Sequence, residues 1–400
     1  MPLTKNNLID LISLSVLTVV IIIAIFIFTS NFNTPWKHFS DQTQSFLKGR
    51  LDVDPLSFDK HDYVIQGGKY YWHQGPFPSA LLIPFQLLFG TELSQGTVQL
   101  LLIIILCISL FKLARLKKFN ILDSLYLVIV FLLGSTVVGL IIDPKSWFFS
   151  QVITVTILSL LILELESSRK WWLIGIFEAM LIATRFTSGF IIFTLIFLLY
   201  QEKNPLKRKF INLFFLLMPI AISGFLLIWF NYARFGNLFN NGYFTNDVGG
   251  YLNPLRDMGF FSLQHFPTNF YYYFLASVNP ITSDISIHLK FPFIKYNGWG
   301  LSLFLVAPFF LYSLKSLKES SSYLRSLWIA VAITLFTLLT YYAPGWVQFG
   351  PRYTADFMPI LYLLTLYGLT PTKLTNFQKM IIVFSCLFNT YLLVNPMVFI

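Results

Sequence analysis

Charge is what this sequence has least of. Only 12% of its 400 residues are Asp, Glu, Lys or Arg, whereas soluble domains carry about 25%. Cysteine is nearly missing too. Cys107 and Cys386 are the two present, each inside an apolar run and with no CxxC. That excludes a disulfide framework, dithiol redox chemistry and a cysteine zinc site, and leaves both as packing residues. No GxGxxG or GxxxxGK(S/T) loop occurs, so no nucleotide-binding domain is encoded. HExxH, HxH and EF-hand spacings are absent as well. The chain shows no repeat of about 20–50 residues and no similarity between its halves, unlike many inverted-repeat transporters.

What fills the space is apolar. Hydrophobic residues make up 56% of the chain, with 44 Phe and 20 Tyr among them, a composition suited to lipid contact and interfacial belts. The net charge of +10 would suggest nucleic acid in a soluble protein. Here the basic residues sit in short clusters between apolar segments, where they orient the chain, and no nucleic-acid partner is expected. Ile9–Thr29 has spanning length, since about 20 residues cross the hydrocarbon. It exceeds a signal-peptide core and no small-x-small site follows, so it reads as an uncleaved first helix. Ser79–Gly90, interrupted by Pro84, is too short to span and reads as re-entrant or interfacial. Further spans are expected at 95–113, 121–141, 147–165, 171–185, 187–201, 210–230, 299–314, 325–342, 355–369 and 379–399. The pair 171–185 and 187–201 is short enough to be one broken unit.

Basic clusters at 112–118, 169–170, 203–209, 315–325 and 373–379 all fall on one side of this topology, as the positive-inside rule requires. The expectation is an all-α polytopic membrane protein of about 11 transmembrane helices. It forms one domain over 1–400, with its N-terminus inside. Segments 30–78, 142–146, 231–298 and 343–354 then face outward, and they hold all five histidines and half of the acids.

The first outer loop, with FSDQTQSFLKGRLDVDP at 39–55, contains Asp41, Asp52, Asp54, Asp59 and Asp62. Asp41 stands a dozen residues past the first helix, near the outer interface, where a carboxylate can take a proton from an acceptor hydroxyl. Asp52 and Asp54 suit a turn ending at Pro55. Gly67-Gly68 reads as a turn, and Tyr70–His73 as a strand-like aromatic stretch. Tyr71 and His73 there suit sugar stacking or an interfacial belt. Asp143, before Pro144, has a second-acid reading and a helix-capping one. Arg185 is costly near the membrane; its fork suits phosphate oxygens, or it shares an ion network with Glu178 on the same helical face. Arg352, beside Tyr353, is a phosphate clamp or the i,i+4 partner of Asp356. Arg234 reads as a headgroup anchor.

The early acid, FLKGRLDVDP and GGKYYWHQGPFPSALLIPFQLLFG resemble bacterial membrane glycosyltransferases of the GT-C superfamily. So do ATRFT at 183–187, NYARFGNLFNNGY at 231–243, FPTNFYYYFLASVNP at 266–280 and GWVQFGPRYTADFMP at 345–359. Together these stretches run through most of the chain. The chain looks like protein O-mannosyltransferases and lipid A aminoarabinose transferases. The resemblance implies a polyprenyl-phosphate-linked sugar donor, an envelope acceptor (glycan, lipid or protein) and a base in the first outer loop, which maps onto Asp41. A second acid maps onto Asp143, to orient the acceptor or bind metal. Arg352, Arg185 and Tyr353 would hold the donor phosphate. No metal ligand is assigned; a divalent cation stays open as a cofactor, because some relatives use one and others do not.

The resulting expectation is a multi-pass enzyme of a bacterial plasma membrane, transferring a hexosyl or pentosyl group on its outer face. The alternative is a transporter or flippase for a lipid-linked or polar solute, with Glu178 and Arg185 lining its path.

Overall fold

The computed structural model describes residues 5–54, 62–243, 252–283, 287–369 and 372–395. Asp59 and His61 lie outside these residues, as does the end of the expected 379–399 span. Helix α1 (Lys5–Asn31) leads into α2 (His38–Leu47), the hairpin β1 (Tyr63–Gln66) and β2 (Lys69–Trp72), and α3 (Phe77–Phe89). Then come α4 (Gln95–Leu116), α5 (Ile121–Leu132), α6 (Val138–Ile141), α7 (Ser146–Glu166), α8 (Trp171–Thr184), α9 (Ile192–Gln201) and α10 (Leu206–Phe235). The segment after α10 carries α11 (Asn253–Asp257), α12 (Phe266–Phe270) and the hairpin β3 (Asn279–Thr282) and β4 (Leu289–Lys295). The chain closes with α13 (Leu303–Val306), α14 (Ser322–Thr340), α15 (Met358–Gly368) and α16 (Asn376–Val394).

Among the described residues, six helices are long and apolar enough to cross a membrane: α1, α4, α7, α10, α14 and α16. The chain is a multi-pass membrane protein. The other expected spans are short or interrupted. The 121–141 run breaks into α5 and α6, and 187–201 starts as a 3-10 turn over Phe186–Ile191. The 299–314 run becomes α13 followed by a 3-10 helix over Pro308–Lys318, and 355–369 begins in a 3-10 turn at Arg352–Asp356.

Breaks of this kind free backbone groups that hydrocarbon cannot solvate, and amide side chains supply the missing partners. Asn389 of α16 donates to the carbonyls of Leu133 and Val306, both at 3.0 Å. Gln99 of α4 donates to Leu140 and Ile141, each at 3.3 Å. Asn269 reaches Leu338, Leu339 and Tyr341 at the end of α14.

Helix α7 is the axis of the bundle. It packs against α4, α8 and α15, and Phe149, Val152, Ile153, Leu158 and Leu161 on it are fully buried. Helix α10 packs mainly on α8 and turns Phe210, Phe214, Phe225 and Trp229 outward. At the basic end of the bundle, Lys117 pairs with Glu166 at 2.5 Å and donates to Tyr367 at 2.6 Å, while Tyr323 donates to Glu166. Lys379 pairs with Asp10 at 2.6 Å. These bonds lock α4 to α7, α14 and α15, and α16 to α1.

The polar stretch expected as a loop at 39–55 is in its first part a helix. His38, Asp41, Gln42 and Ser45 recur at helical spacing, and all are buried. Helix α2 lies on α3 through Thr43 to the Ser79 carbonyl (2.9 Å) and Ser79 to Gln42 (2.7 Å). Gly49, at φ 69°, ends it. The Gly67-Gly68 turn and the strand at Tyr70 form as expected. Both glycines have positive φ (57° and 74°), the requirement of a tight hairpin turn.

Candidate active site

The candidate residues gather around the first turn of α7, in two halves. In the first half, Asp41 is 2% exposed and accepts a hydrogen bond from Tyr63 at 3.2 Å. Burial, then the Asp41 charge, push the Tyr63 phenol well up, so it remains a donor. One turn before Asp41, His38 stacks on Trp72 with ring centroids 4.1 Å apart and meets Trp147 at 5.1 Å. Trp147, in the first turn of α7, donates to the Asp62 carboxylate at 2.8 Å. His73 Nδ1 is 2.7 Å from the Asp62 carbonyl, and its ring meets Tyr243 edge-on at 4.4 Å. Tyr243 brings the segment that follows α10 into the same cluster.

The second half holds the cations. Arg185 donates to both oxygens of Asp356, at 2.6 and 3.1 Å, and Asp356 also accepts from Thr187. Tyr353 lies between two guanidinium groups, with Arg185 at 5.0 Å and Arg352 at 5.2 Å from its ring centroid. Arg352 has no carboxylate partner among the described residues. Its Nε is buried without a hydrogen bond, and its side chain contacts are the Tyr353 hydroxyl at 3.5 Å and the faces of Tyr353 and Phe148.

Asp143 accepts from the Lys145 backbone N–H at 3.0 Å and pairs with the Lys145 ammonium at 3.0 Å. The Lys145 ammonium stands 4.2 Å over Phe148. Trp147 and Phe148, adjacent on α7, therefore join the halves, Trp147 facing the Asp41 side and Phe148 facing Arg352.

Three readings of the sequence need correction. Arg352 does not pair with Asp356. The segment 352–356 is a 3-10 helix, where residues four apart point about 120° from each other instead of the 40° of an α-helix. Arg185 does not share a network with Glu178, because α8 ends at Thr184 and Arg185 turns away in an extended conformation. Glu178 is fully buried, with its carboxylate beside Gly189. Arg234 is no headgroup anchor. It is 5% exposed, donates to the Trp72 carbonyl at 2.7 Å and lies over Phe230 at 3.8 Å, tying the hairpin to α10. Tyr71, on the opposite strand face from Trp72, packs on Phe235 at 5.4 Å. Asp52 and Asp54 both bind Arg50.

No family model matches the chain, and no curated protein matches it. Two solved structures do. One is the Archaeoglobus fulgidus oligosaccharyltransferase in the apo form, at 15% identity and a TM-score of 0.49, covering 95% of this chain and 55% of that one. The other is the archaeal oligosaccharyltransferase AglB from Archaeoglobus fulgidus in complex with an inhibitory peptide and a dolichol-phosphate, at 15% identity and a TM-score of 0.47 over the same shares. The chain spans about half the length of the proteins it matches.

Lys145, Tyr63, Trp147 and Phe148 were not singled out from the sequence. Lys145 did carry a signal, as a lysine in a five-residue connection expected to face outward, where the positive-inside bias disfavours it. The other three are ordinary aromatics in an aromatic-rich chain. Among the described residues, no three of His, Cys, Asp and Glu converge as a metal site. A divalent ion on Asp143 does not fit either, since it would sit against the Lys145 ammonium.

Beside α2, an apolar cavity of about 820 Å³ runs between α3, α8 and α10. Phe46, Phe77, Met180, Ile222 and Phe230 line it, with Arg50 and Ser223 among its polar members.

Proposed function

We propose that this chain is a membrane glycosyltransferase of the GT-C kind, moving a sugar from a polyprenyl-phosphate donor to a hydroxyl of an envelope acceptor at the outer face of a bacterial plasma membrane. The observation that carries the reading is the pairing of functions around one helix start. A buried carboxylate, Asp41, lies on one side of α7, and Arg352, an arginine without a carboxylate partner among the described residues, on the other.

In this reading Asp41 takes the proton of the acceptor hydroxyl as that oxygen attacks the anomeric carbon. The bond from the anomeric carbon to the phosphate oxygen breaks, and polyprenyl phosphate leaves with the electron pair. Arg352 neutralises the charge that develops on it. Arg185 is spoken for by Asp356 and contributes by fixing Tyr353 next to Arg352. The hydroxyl of Tyr63 orients Asp41, and His73 with Tyr243 forms an aromatic wall for a sugar ring. The cavity beside α2 suits the prenyl tail.

The test is a panel of polyprenyl-phosphate sugars offered to the purified protein, with and without a chelator, and with Asp41→Asn in parallel. The wild type is expected to release free polyprenyl phosphate from at least one donor. Asp41→Asn, folded and still binding donor, is expected to be slower by about 10²–10⁴-fold. Release from no donor overturns the donor assignment, and a wild-type rate in Asp41→Asn removes Asp41 as the base.

A further inference from the structure

We infer that Lys145 is the second cation of the donor-phosphate site, and that Asp143 is its positioning residue. The inference rests on the phosphate reading of Arg352 given above.

Three observations lead to it. First, Lys145 is held at both ends by one carboxylate. Its backbone N–H reaches Asp143 Oδ1 at 3.0 Å and its ammonium reaches Oδ2 at 3.0 Å. Only 13% of its side chain is exposed. Second, the short connection that carries it is fixed to its surroundings. Gln95 donates to the Pro144 carbonyl, and the Ser146 N–H and hydroxyl donate to the Trp36 carbonyl at 3.0 and 2.9 Å. A solvated surface lysine is not built this way. Third, Lys145 and Arg352 share a ring. Their charged groups lie 4.2 and 5.7 Å from the Phe148 centroid, and so no more than about 10 Å apart.

Two cations this close, with one carboxylate on Lys145 and none on Arg352 among the described residues, leave one positive charge uncompensated. Burial and the Arg352 charge both push the Lys145 ammonium below the ordinary lysine range, against the pull of Asp143. An anion entering between Lys145 and Arg352 relieves that repulsion. The chemistry of the donor says when this matters most. The phosphate linking sugar to prenol is a diester with one negative charge; when the bond to the sugar breaks, the departing phosphate monoester gains a second. A second cation therefore favours the transition state and the product over the bound donor. Its loss should lower kcat more than it raises KM.

Asp143 on this account neither takes a proton nor binds a metal. It aims the ammonium, so Asp143→Asn should weaken the site less than loss of the lysine does.

The test uses the full-length protein in nanodiscs with decaprenyl phosphate, a monoester, as the probe. Lys145→Gln is expected to bind it about tenfold or more weakly, as befits loss of a charged hydrogen-bond donor. Lys145→Arg should retain most of the affinity and also serves if the glutamine variant misfolds. Asp143→Asn should fall between, and a chelator should change nothing. If Lys145→Gln binds the probe as the wild type does while Arg352→Gln does not, the inference fails and the phosphate reading of Arg352 stands. Chelator-sensitive binding makes Asp143 a metal ligand and also overturns the inference. If the wild type does not bind the probe, the phosphate reading itself falls, and the inference with it.

Discussion

Asp356 is fully buried and the Arg185 side chain is 16% exposed, and two hydrogen bonds join their charged groups. Such a pair is not worth its Coulomb energy, because both ions have left water to form it. What it secures is position. The Arg185 end of α8 is pinned to the 3-10 turn that presents Tyr353 and Arg352. Removing one partner is worse than never having had the pair. Asp356→Asn should destabilise the protein by about 3–5 kcal/mol, since it strands a buried guanidinium. Heat-induced unfolding in detergent measures this. The double variant Arg185→Leu/Asp356→Leu is expected to recover part of the loss, and equal melting of the single variant and wild type would refute the positional role.

Elements in this chain are interrupted where a membrane protein can least tolerate it, and the breaks after α5 and α13 and the end of α14 are repaired by amide side chains from other elements. The clearest case is Asn389, whose amide serves the Leu133 carbonyl at the end of α5 and the Val306 carbonyl at the end of α13. A sequence reader meets Asn389 as one polar residue in an apolar helix. Asn389→Leu keeps the volume and removes the donor, leaving two carbonyls without a partner. The expected cost is about 1–3 kcal/mol for each unsatisfied group, read as a lower midpoint in denaturant unfolding. Asn389→Gln, which keeps the amide, should lose less. The same logic explains why α2 was not legible as a helix. It is buried nearly all round although most of its residues are polar, so hydrophobic periodicity, the main signal for an amphipathic helix, is missing over His38–Ser45.

The whole molecule is organised as a bundle with ion networks at its basic end and the candidate site at the other. Sidedness follows from the positive-inside rule and has a direct check. The two native cysteines lie within membrane helices, one buried and one half-buried, so background labelling should be low. A cysteine at Gly67, in the hairpin turn, should react with a membrane-impermeant maleimide on intact cells. A cysteine at Lys203 should react only after permeabilisation. The opposite pattern would invert the topology and with it the outer-face assignment of the site.

Composition and the spacing of basic clusters were enough to determine a multi-pass helical protein, because the cost of leaving charge and bare backbone in hydrocarbon writes itself into every span. Sequence also placed Asp41, Asp143, Arg185 and Arg352 in segments on one side, and the hairpin at Gly67-Gly68, since two adjacent glycines meet a local conformational demand. Which cation pairs with which acid was decided only by the tertiary structure. Arg352 and Asp356 are four apart, but a 3-10 turn points them in different directions. Arg185 and Glu178 are seven apart, but the helix stops between one and the other. Lys145 and Arg352 are separated by about half of the chain and meet on Phe148. Charge pairing depends on direction and distance in space, which residue spacing encodes only while a helix continues unbroken.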